Sequence, residues 1–317
     1  MSTFLENLPE IEELRIAVAL SGGPDSMALA HALSVQGNAK IFALTVDHGL
    51  REGSDKEAEQ VAQWVKDWPQ VTHIILKWQA DKPQTRIMEE ARKARYDLMA
   101  GFCREQEIHS LYLAHHMDDQ AETFLLRLAA GSGLDGLAGM RAQQNYDESL
   151  TLKRPCLSVT KEELITYCKE NDIPFVLDPS NEKTDYARPR LRAARRVLEE
   201  EGLTSKRLSV TAMRLRRARS ALEQITDEVF TAHCQQEAQG IMADWTALKS
   251  QPEEILLRLL LKAIDLAGPA RDYPPRMEKV EDLLSRLLYD SNFSGATLGG
   301  CKFAWKGPDK ALYICKE

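Results

Sequence analysis

Short apolar runs alternate with amphipathic stretches through the first half of the chain. Residues 15–20 (RIAVAL), 40–47 (KIFALTVD), 72–78 (THIILKW) and 110–115 (SLYLAH) are continuous apolar runs, the pattern of strands buried on both faces of a parallel sheet. The stretches 24–33, 54–66, 85–105 and 118–130, each following one run, predict helices. Two helix starts carry the spacing of a capping box, Ser54 with Glu57 and Thr160 with Glu163. This alternation predicts an α/β fold: a doubly wound, mostly parallel sheet with helices on both faces and a ligand site beyond the carboxyl ends of its strands.

The pattern changes near residue 187. Helical periodicity runs through 189–201, 204–226, 252–267 and 275–288, with Pro189 suited to a first helical position because its missing N–H is not needed there. Two short strand-like runs, 302–305 and 312–315, close the chain. The reading is an α/β domain over 1–187 and a smaller, mainly helical domain with a short β tail over 188–317.

Composition narrows the classes. Of 317 residues, 44% are hydrophobic and 28% charged, the balance of a globular chain. No run reaches the ~18 apolar residues of a membrane span. The N-terminus (MSTFLENLPEIEEL) lacks the basic-then-apolar order of a secretory signal, so a cytoplasmic protein is expected. Six cysteines, at 103, 156, 168, 234, 301 and 315, form no C-x-x-C pair, which disfavours a disulfide framework and a thiolate zinc site. The net charge of −7 hides an asymmetry: eleven Lys and Arg against three Glu fall between Arg188 and Arg219, an excess suited to a polyanion. If Pro189 opens a helix, Arg192, Arg195 and Arg196 share one face, as do Arg207, Arg214 and Arg217 on the next. Solvated basic faces are the plain alternative.

The sharpest chemical signal is Ser21-Gly22-Gly23-Pro24-Asp25-Ser26, between the first strand and the first helix. Its glycines allow a tight turn and close approach of backbone N–H groups, and the helix adds its positive end, so the turn is an anion site. The Ser21 and Ser26 hydroxyls can donate to phosphate oxygens, and Asp25 within a phosphate cradle implies a cation, read as Mg2+. A simple turn is the competing reading. Neither a Walker lysine loop nor a G-x-G-x-x-G turn follows the first strand.

Asp47-His48-Gly49-Leu50-Arg51 ends the second strand beside this loop, making Asp47 and His48 candidate nucleotide contacts. His115-His116-Met117-Asp118-Asp119-Gln120-Ala121-Glu122 marks the change from fourth strand to helix. Carboxylates there suit the helix dipole, and the pairs His115/Asp119 and Asp118/Glu122, four apart, admit a metal. The same cluster suits an amine that must be bound and deprotonated. Four glycines in 131–140 (GSGLDGLAGM) read as a mobile loop or as a lid closing over substrate. Asp178-Pro179-Ser180-Asn181 and Tyr186 precede the basic stretch, with Tyr186 placed to stack on an exposed base.

The strings SGGPDS, DHGLR, AHHMDDQAETFLLRLAAGSGLDGLAGM, RPCLSVTKEEL and DPSN, in this order, resemble the tRNA(Ile)-lysidine synthase family of PP-loop, or N-type, ATP pyrophosphatases over roughly residues 15–192. The resemblance implies ATP and Mg2+ as cofactors, with L-lysine and tRNA(Ile) bearing a CAU anticodon as partners. It implies adenylation of the 2-carbonyl oxygen of the wobble cytidine, then displacement of AMP by the lysine ε-amine to give lysidine. Carried onto this chain, it implies that Ser21 to Ser26 hold ATP with Asp25 on the metal, and that Arg95, near Arg92, touches substrate. It gives His116 and Asp119 to the binding and deprotonation of lysine, and Arg188, Arg192, Arg195, Arg196, Arg207 and Arg214 to the tRNA. Pro189 stands where the family usually has Asn. The rivals are another PP-loop tRNA-modifying or amidating enzyme, expected to show paired cysteines or an ammonia source, and a non-catalytic nucleotide- or tRNA-binding module. The sequence leaves the oligomeric state open, a homodimer included.

Overall fold

The computed structural model describes residues 4, 8, 10–50, 53–79, 85, 87–176, 187–271, 274–307 and 311–317. Arg51, residues 178–181 and Tyr186 lie outside the described residues, and of Arg188 and Pro189 only the backbone is described.

The four expected strands form as β1 (Arg15–Ala19), β2 (Lys40–Asp47), β3 (Val71–Lys77) and β4 (Ser110–Tyr112). Each leads to a helix: α1 (Pro24–Gln36), α2 (Ser54–Val65), α3 (Ile87–Glu105) and α4 (Met117–Ala129). A four-residue helix, α5 (Leu134–Leu137), then precedes the strands β5 (Gln143–Asn145) and β6 (Thr151–Lys153), and α6 (Lys161–Glu170) follows. The sheet order is β3-β2-β1-β4-β6-β5, parallel throughout except for β5 against β6. Alternate residues of β1 explain its unbroken apolar run. Ile16 and Val18 pack with Met27, Leu29 and Leu33 of α1, whereas Ala17 packs with Tyr96, Met99 and Cys103 of α3. Because β1 lies between β2 and β4, the chain order reverses there, and the turns after β1 and β4 open on one crevice.

The two predicted capping boxes diverge. At α6, the Thr160 hydroxyl accepts from Glu163 N at 3.2 Å while the Glu163 carboxylate accepts from Thr160 N at 2.7 Å. At α2 the box does not form: Gly53 (φ +86) is the cap, and Ser54 Oγ donates instead to Asp47 Oδ1 at 2.7 Å. A carboxylate at the end of β2 is the stronger acceptor for that hydroxyl.

The chain divides into two compact units, Met1–Leu215 and Arg216–Glu317, beyond the boundary expected at 187. The first unit keeps α7 (Ala187–Ala193), α8 (Arg195–Glu200) and the opening turns of α9 (Ser205–His233), because Leu208 and Ala212 pack on Ala121 and Phe124 of α4. The single helix expected over 189–201 is interrupted at Ala194.

The second unit is richer in sheet than a helical domain with a β tail. It holds β7 (Cys234–Glu237), β8 (Gly240–Ala243), α10 (Trp245–Leu248), α11 (Glu253–Ala267), α12 (Met277–Tyr289), β9 (Ala296–Leu298), β10 (Cys301–Lys306) and β11 (Ala311–Lys316). The strands form an antiparallel sheet in the order β7-β8-β11-β10-β9, against which Leu256, Leu260 and Ile264 of α11 and Leu284 and Leu287 of α12 are buried. Strands β7 and β9 are three or four residues long without an apolar run, so periodicity does not announce them. Among the described residues no helix is long and apolar enough to cross a membrane.

Candidate active site

The turn after β1 is held open by its own side chains. Gly22 is left-handed (φ +79), and a Cβ there would stand 2.6 Å from Cγ2 of Val61, so only glycine both makes the turn and clears α2. Ser26 Oγ accepts from Ser21 N at 3.1 Å and donates to Gly23 O at 3.0 Å, tying the two ends of the turn together. Gly23 is the cap of α1, no side chain among the described residues caps the helix start, and Pro24 has no N–H to offer. Uncapped N–H groups at a helix start are the donors an anion uses. Gly22 O accepts from Val176 N at 2.9 Å, which ties the segment after α6 to the edge of the turn.

A cavity of about 540 Å3 opens over this turn. Ser21, Asp25 and Ser26 line one side, Asp47 and His48 the end of β2, Arg95 and Tyr96 a face of α3, and His115 and Asp119 the start of α4. Residues distant in sequence thus meet at the reversal point of the sheet. Asp47 is partly committed to structure. Its Oδ1 accepts from Ser54 Oγ and from Gly49 N at 2.9 Å, and the Ser54 bond, outweighing burial, holds its pKa below the ordinary 3.8. Arg95 lies over the Tyr96 ring, 5.6 Å from its centroid.

His116 stands between carboxylates, 3% exposed. Its Nε2 is 3.6 Å from Asp25 Oδ2 and 3.5 Å from Asp119 Oδ2, and its Nδ1 is 3.6 Å from Asp118 Oδ2. Burial opposes the imidazolium, but the Asp25, Asp119 and Asp118 carboxylates outweigh it and raise the pKa above the usual 6.5. The surrounding carboxylates make this ring a stronger base than a free imidazole and hold it in place beside Asp25 and Asp119. The Asp119 carboxylate also accepts from His116 N at 3.1 Å, closing the start of α4.

A second cavity, of about 300 Å3, lies on the other side of the α4 start. His116, Asp118 and Glu122 line it with Lys161, Arg192 and Arg195, among leucines 125, 191, 198, 203 and 208. Glu122 takes Arg192 in a two-point pair, Nε to Oε1 at 2.6 Å and Nη2 to Oε2 at 3.3 Å. Asp118 is a hub: it accepts from Lys161 N at 2.9 Å and from Ser205 Oγ at 2.8 Å, and pairs with Arg195 Nη2 at 2.9 Å. Burial pushes the Asp118 carboxyl up, but these partners prevail and hold it below 3.8.

The arginines expected on one RNA-facing surface therefore separate. Arg192 and Arg195 turn to buried carboxylates, because the interruption at Ala194 and the acids of α4 divide their directions. Arg196 is exposed beside Glu200, Arg207 Nη1 donates to Gly202 O at 3.2 Å, and Arg214 is exposed. The glycine-rich stretch is anchored rather than free at its far end. Gln120, 2% exposed, donates to Met140 O at 2.9 Å and accepts from Met140 N at 2.7 Å, and Ala138 is fully buried. Of the spacings that admit a metal, Asp118 and Glu122 each pair with an arginine, Arg195 and Arg192. Lys161 and Ser205 carry no sequence signal for this site beyond the Thr160 cap that places Lys161.

Oδ1 of Asp25 is buried without a hydrogen-bond partner among the described residues, which suits a hard cation that takes its other ligands from phosphate and water. Among the described residues no group of three His, Cys, Asp or Glu could by itself hold a metal.

A family model described as a PP-loop domain matches residues 1–200. In fold, the U34-tRNA thiolase NcsA of Methanococcus maripaludis is similar over 68% of this chain and 77% of its own, with a TM-score of 0.55 at 14% identity. Sheet, turn and match together define a PP-loop enzyme, a class that uses ATP. The tRNA(Ile)-lysidine synthase of Methylobacterium nodulans is 40% identical over 304 residues, covering 94% of this chain and 89% of that protein. The one from Wolbachia pipientis wMel is 35% identical over 308 residues, 96% of this chain and 70% of that protein. The chain belongs to the tRNA(Ile)-lysidine synthase family.

Proposed function

We propose that the chain uses ATP to ligate L-lysine to the 2-position of the wobble cytidine of tRNA(Ile) with a CAU anticodon, forming lysidine, AMP and pyrophosphate. The observation that carries this reading is the meeting of the phosphate turn and the Asp119 carboxylate of α4 in one cavity of a chain of this family. In the first step the cytidine 2-oxygen bonds to the α-phosphorus and pyrophosphate leaves. The uncapped start of α1 and the Ser21 and Ser26 hydroxyls receive the phosphates, and Arg95 offers positive charge from the facing wall. Asp25 would hold Mg2+, which when bound neutralises part of the triphosphate charge.

In the second step the ε-amine bonds to C2 and AMP leaves with the oxygen. The second cavity suits lysine: leucines for its methylenes, Arg192 for a carboxylate and Glu122 for an ammonium. His116 and Asp119 receive the proton that the amine must lose, and burial lowers the lysine pKa toward that exchange. Exposed Arg196, Arg207 and Arg214, together with Arg188, supply charge for the RNA backbone.

The test is to combine the protein with ATP, Mg2+, labelled lysine and tRNA(Ile) bearing CAU. Label should enter the tRNA only when all four are present, and its failure to enter rejects the reading. Thiolation, the rival chemistry, lacks a ready thiol: burial pushes both Cys156 and Cys168, which lie near Asp25, up to about 12.

A further inference from the structure

The floor of the nucleotide cavity contains a hydrogen-bond relay that reaches the phosphate turn from two strands away. Backbone pairing of β1 with β2 ends at Leu20 N, which donates to Leu44 O at 2.9 Å. Beyond that point the chain must leave the sheet to make the turn at Ser21. Leu20 is 2% exposed, so its carbonyl needs a partner other than water. Thr45, itself buried, supplies one: its Oγ1 donates to Leu20 O at 2.7 Å.

That bond uses the only hydrogen of the hydroxyl. The 2.8 Å contact between Thr45 Oγ1 and His73 Nε2 must then run the other way, with His73 donating. The assignment places the His73 proton on Nε2. Burial pushes the His73 imidazole below 6.5, so at neutral pH this is the neutral ring in a single tautomer. His73 of β3, Thr45 of β2 and Leu20 after β1 form one directed chain across three strands, and both Thr45 and Leu20 line the nucleotide cavity.

We propose that Thr45 and His73 are positioning residues for ATP: their relay fixes the Leu20 carbonyl and with it the direction in which β1 delivers Ser21 into the phosphate turn. The proposal rests on the reading that this turn holds ATP. Neither side chain is required to touch the nucleotide. Thr45 has spent its donor on Leu20, so its hydroxyl reaches the reaction through the backbone of the turn.

The test is direct ATP binding by the full chain, measured by calorimetry, together with the KM values for ATP and for lysine in lysidine formation. Thr45→Val keeps the shape of the side chain but leaves the buried Leu20 carbonyl and the half-buried His73 N–H unpaired. It should weaken ATP binding and raise the KM for ATP roughly tenfold, with the KM for lysine unchanged. Thr45→Ser restores the hydroxyl and should return ATP binding to within about threefold of wild type. If Thr45→Val does not fold, His73→Leu and His73→Gln carry the same comparison, because glutamine keeps an N–H donor and leucine does not. A folded Thr45→Val that binds ATP like wild type overturns the relay, and so does an equal rise in both KM values. Wild-type protein that binds no ATP overturns the functional reading and the relay together.

Discussion

His116 Nε2 and Asp25 Oδ2 lie 3.6 Å apart, one from the turn after β4 and the other from the turn after β1. The two strand ends that flank the reversal of the sheet are thereby joined through Asp25, which lines the first cavity, and the buried His116, which lines the second. Asp25 has one oxygen toward this imidazole and the other buried without a partner among the described residues.

Asp25→Asn keeps the size of the side chain and removes its charge. Pyrophosphate release in the presence of tRNA should fall by at least about a hundredfold, the scale for losing one preorganised electrostatic group. Release at the wild-type rate would show that Asp25 has no part in the first step.

On the proposed reading Arg192 and Glu122 hold the lysine. Arg192→Met or Glu122→Gln should raise the KM for lysine roughly ten- to hundredfold, since each leaves a desolvated partner behind. Pyrophosphate release in the first step should change much less. Lysine titrations run beside pyrophosphate assays check this, and an equal loss in both would assign the pair to stability alone.

Gly139 should not tolerate a side chain. Its φ is +67, and an added Cβ would come 2.6 Å from Gln120 Oε1, the atom that holds Met140 N. Gly139→Ala should cost about 1–3 kcal/mol and speed amide exchange through residues 131–140. An unchanged denaturant midpoint with unchanged exchange would contradict the anchored loop.

Glu13 sets an acid limit on the sheet. Burial pushes its carboxyl up, but hydrogen bonds from Lys153 and Ser110 outweigh that and hold it below the ordinary 4.5. A carboxyl depressed in the folded state contributes stability above its unfolded pKa and loses it as pH falls through the folded value. Wild type should therefore lose more stability than Glu13→Gln between about pH 5 and pH 3. Urea unfolding across that range reads the difference, and parallel slopes would remove Glu13 from the account.

What was readable in the sequence follows from where the determining forces act. β1 and β2 are buried on both faces by α1 and α3, so burial itself writes continuous apolar runs. β5 and β7 are short and mostly polar, β9 is only three residues long, and they exist because neighbours offer backbone partners. The phosphate turn was readable because its glycines, proline and serines act on one another within six residues. The directions of Arg192 and Arg195 were not, since they depend on carboxylates of α4 that only the fold brings near. Ser54 was misread for the same reason, its hydroxyl being drawn to Asp47 of another element.

One turn of α4 separates the nucleotide cavity, lined by His115 and Asp119, from the neighbouring cavity, lined by Asp118 and Glu122. On the proposed reading, substitutions of Glu122 on the far side of that turn would change the incoming nucleophile and leave the phosphate turn untouched. A scaffold partitioned in this way diversifies by changing its acceptor chemistry one compartment at a time.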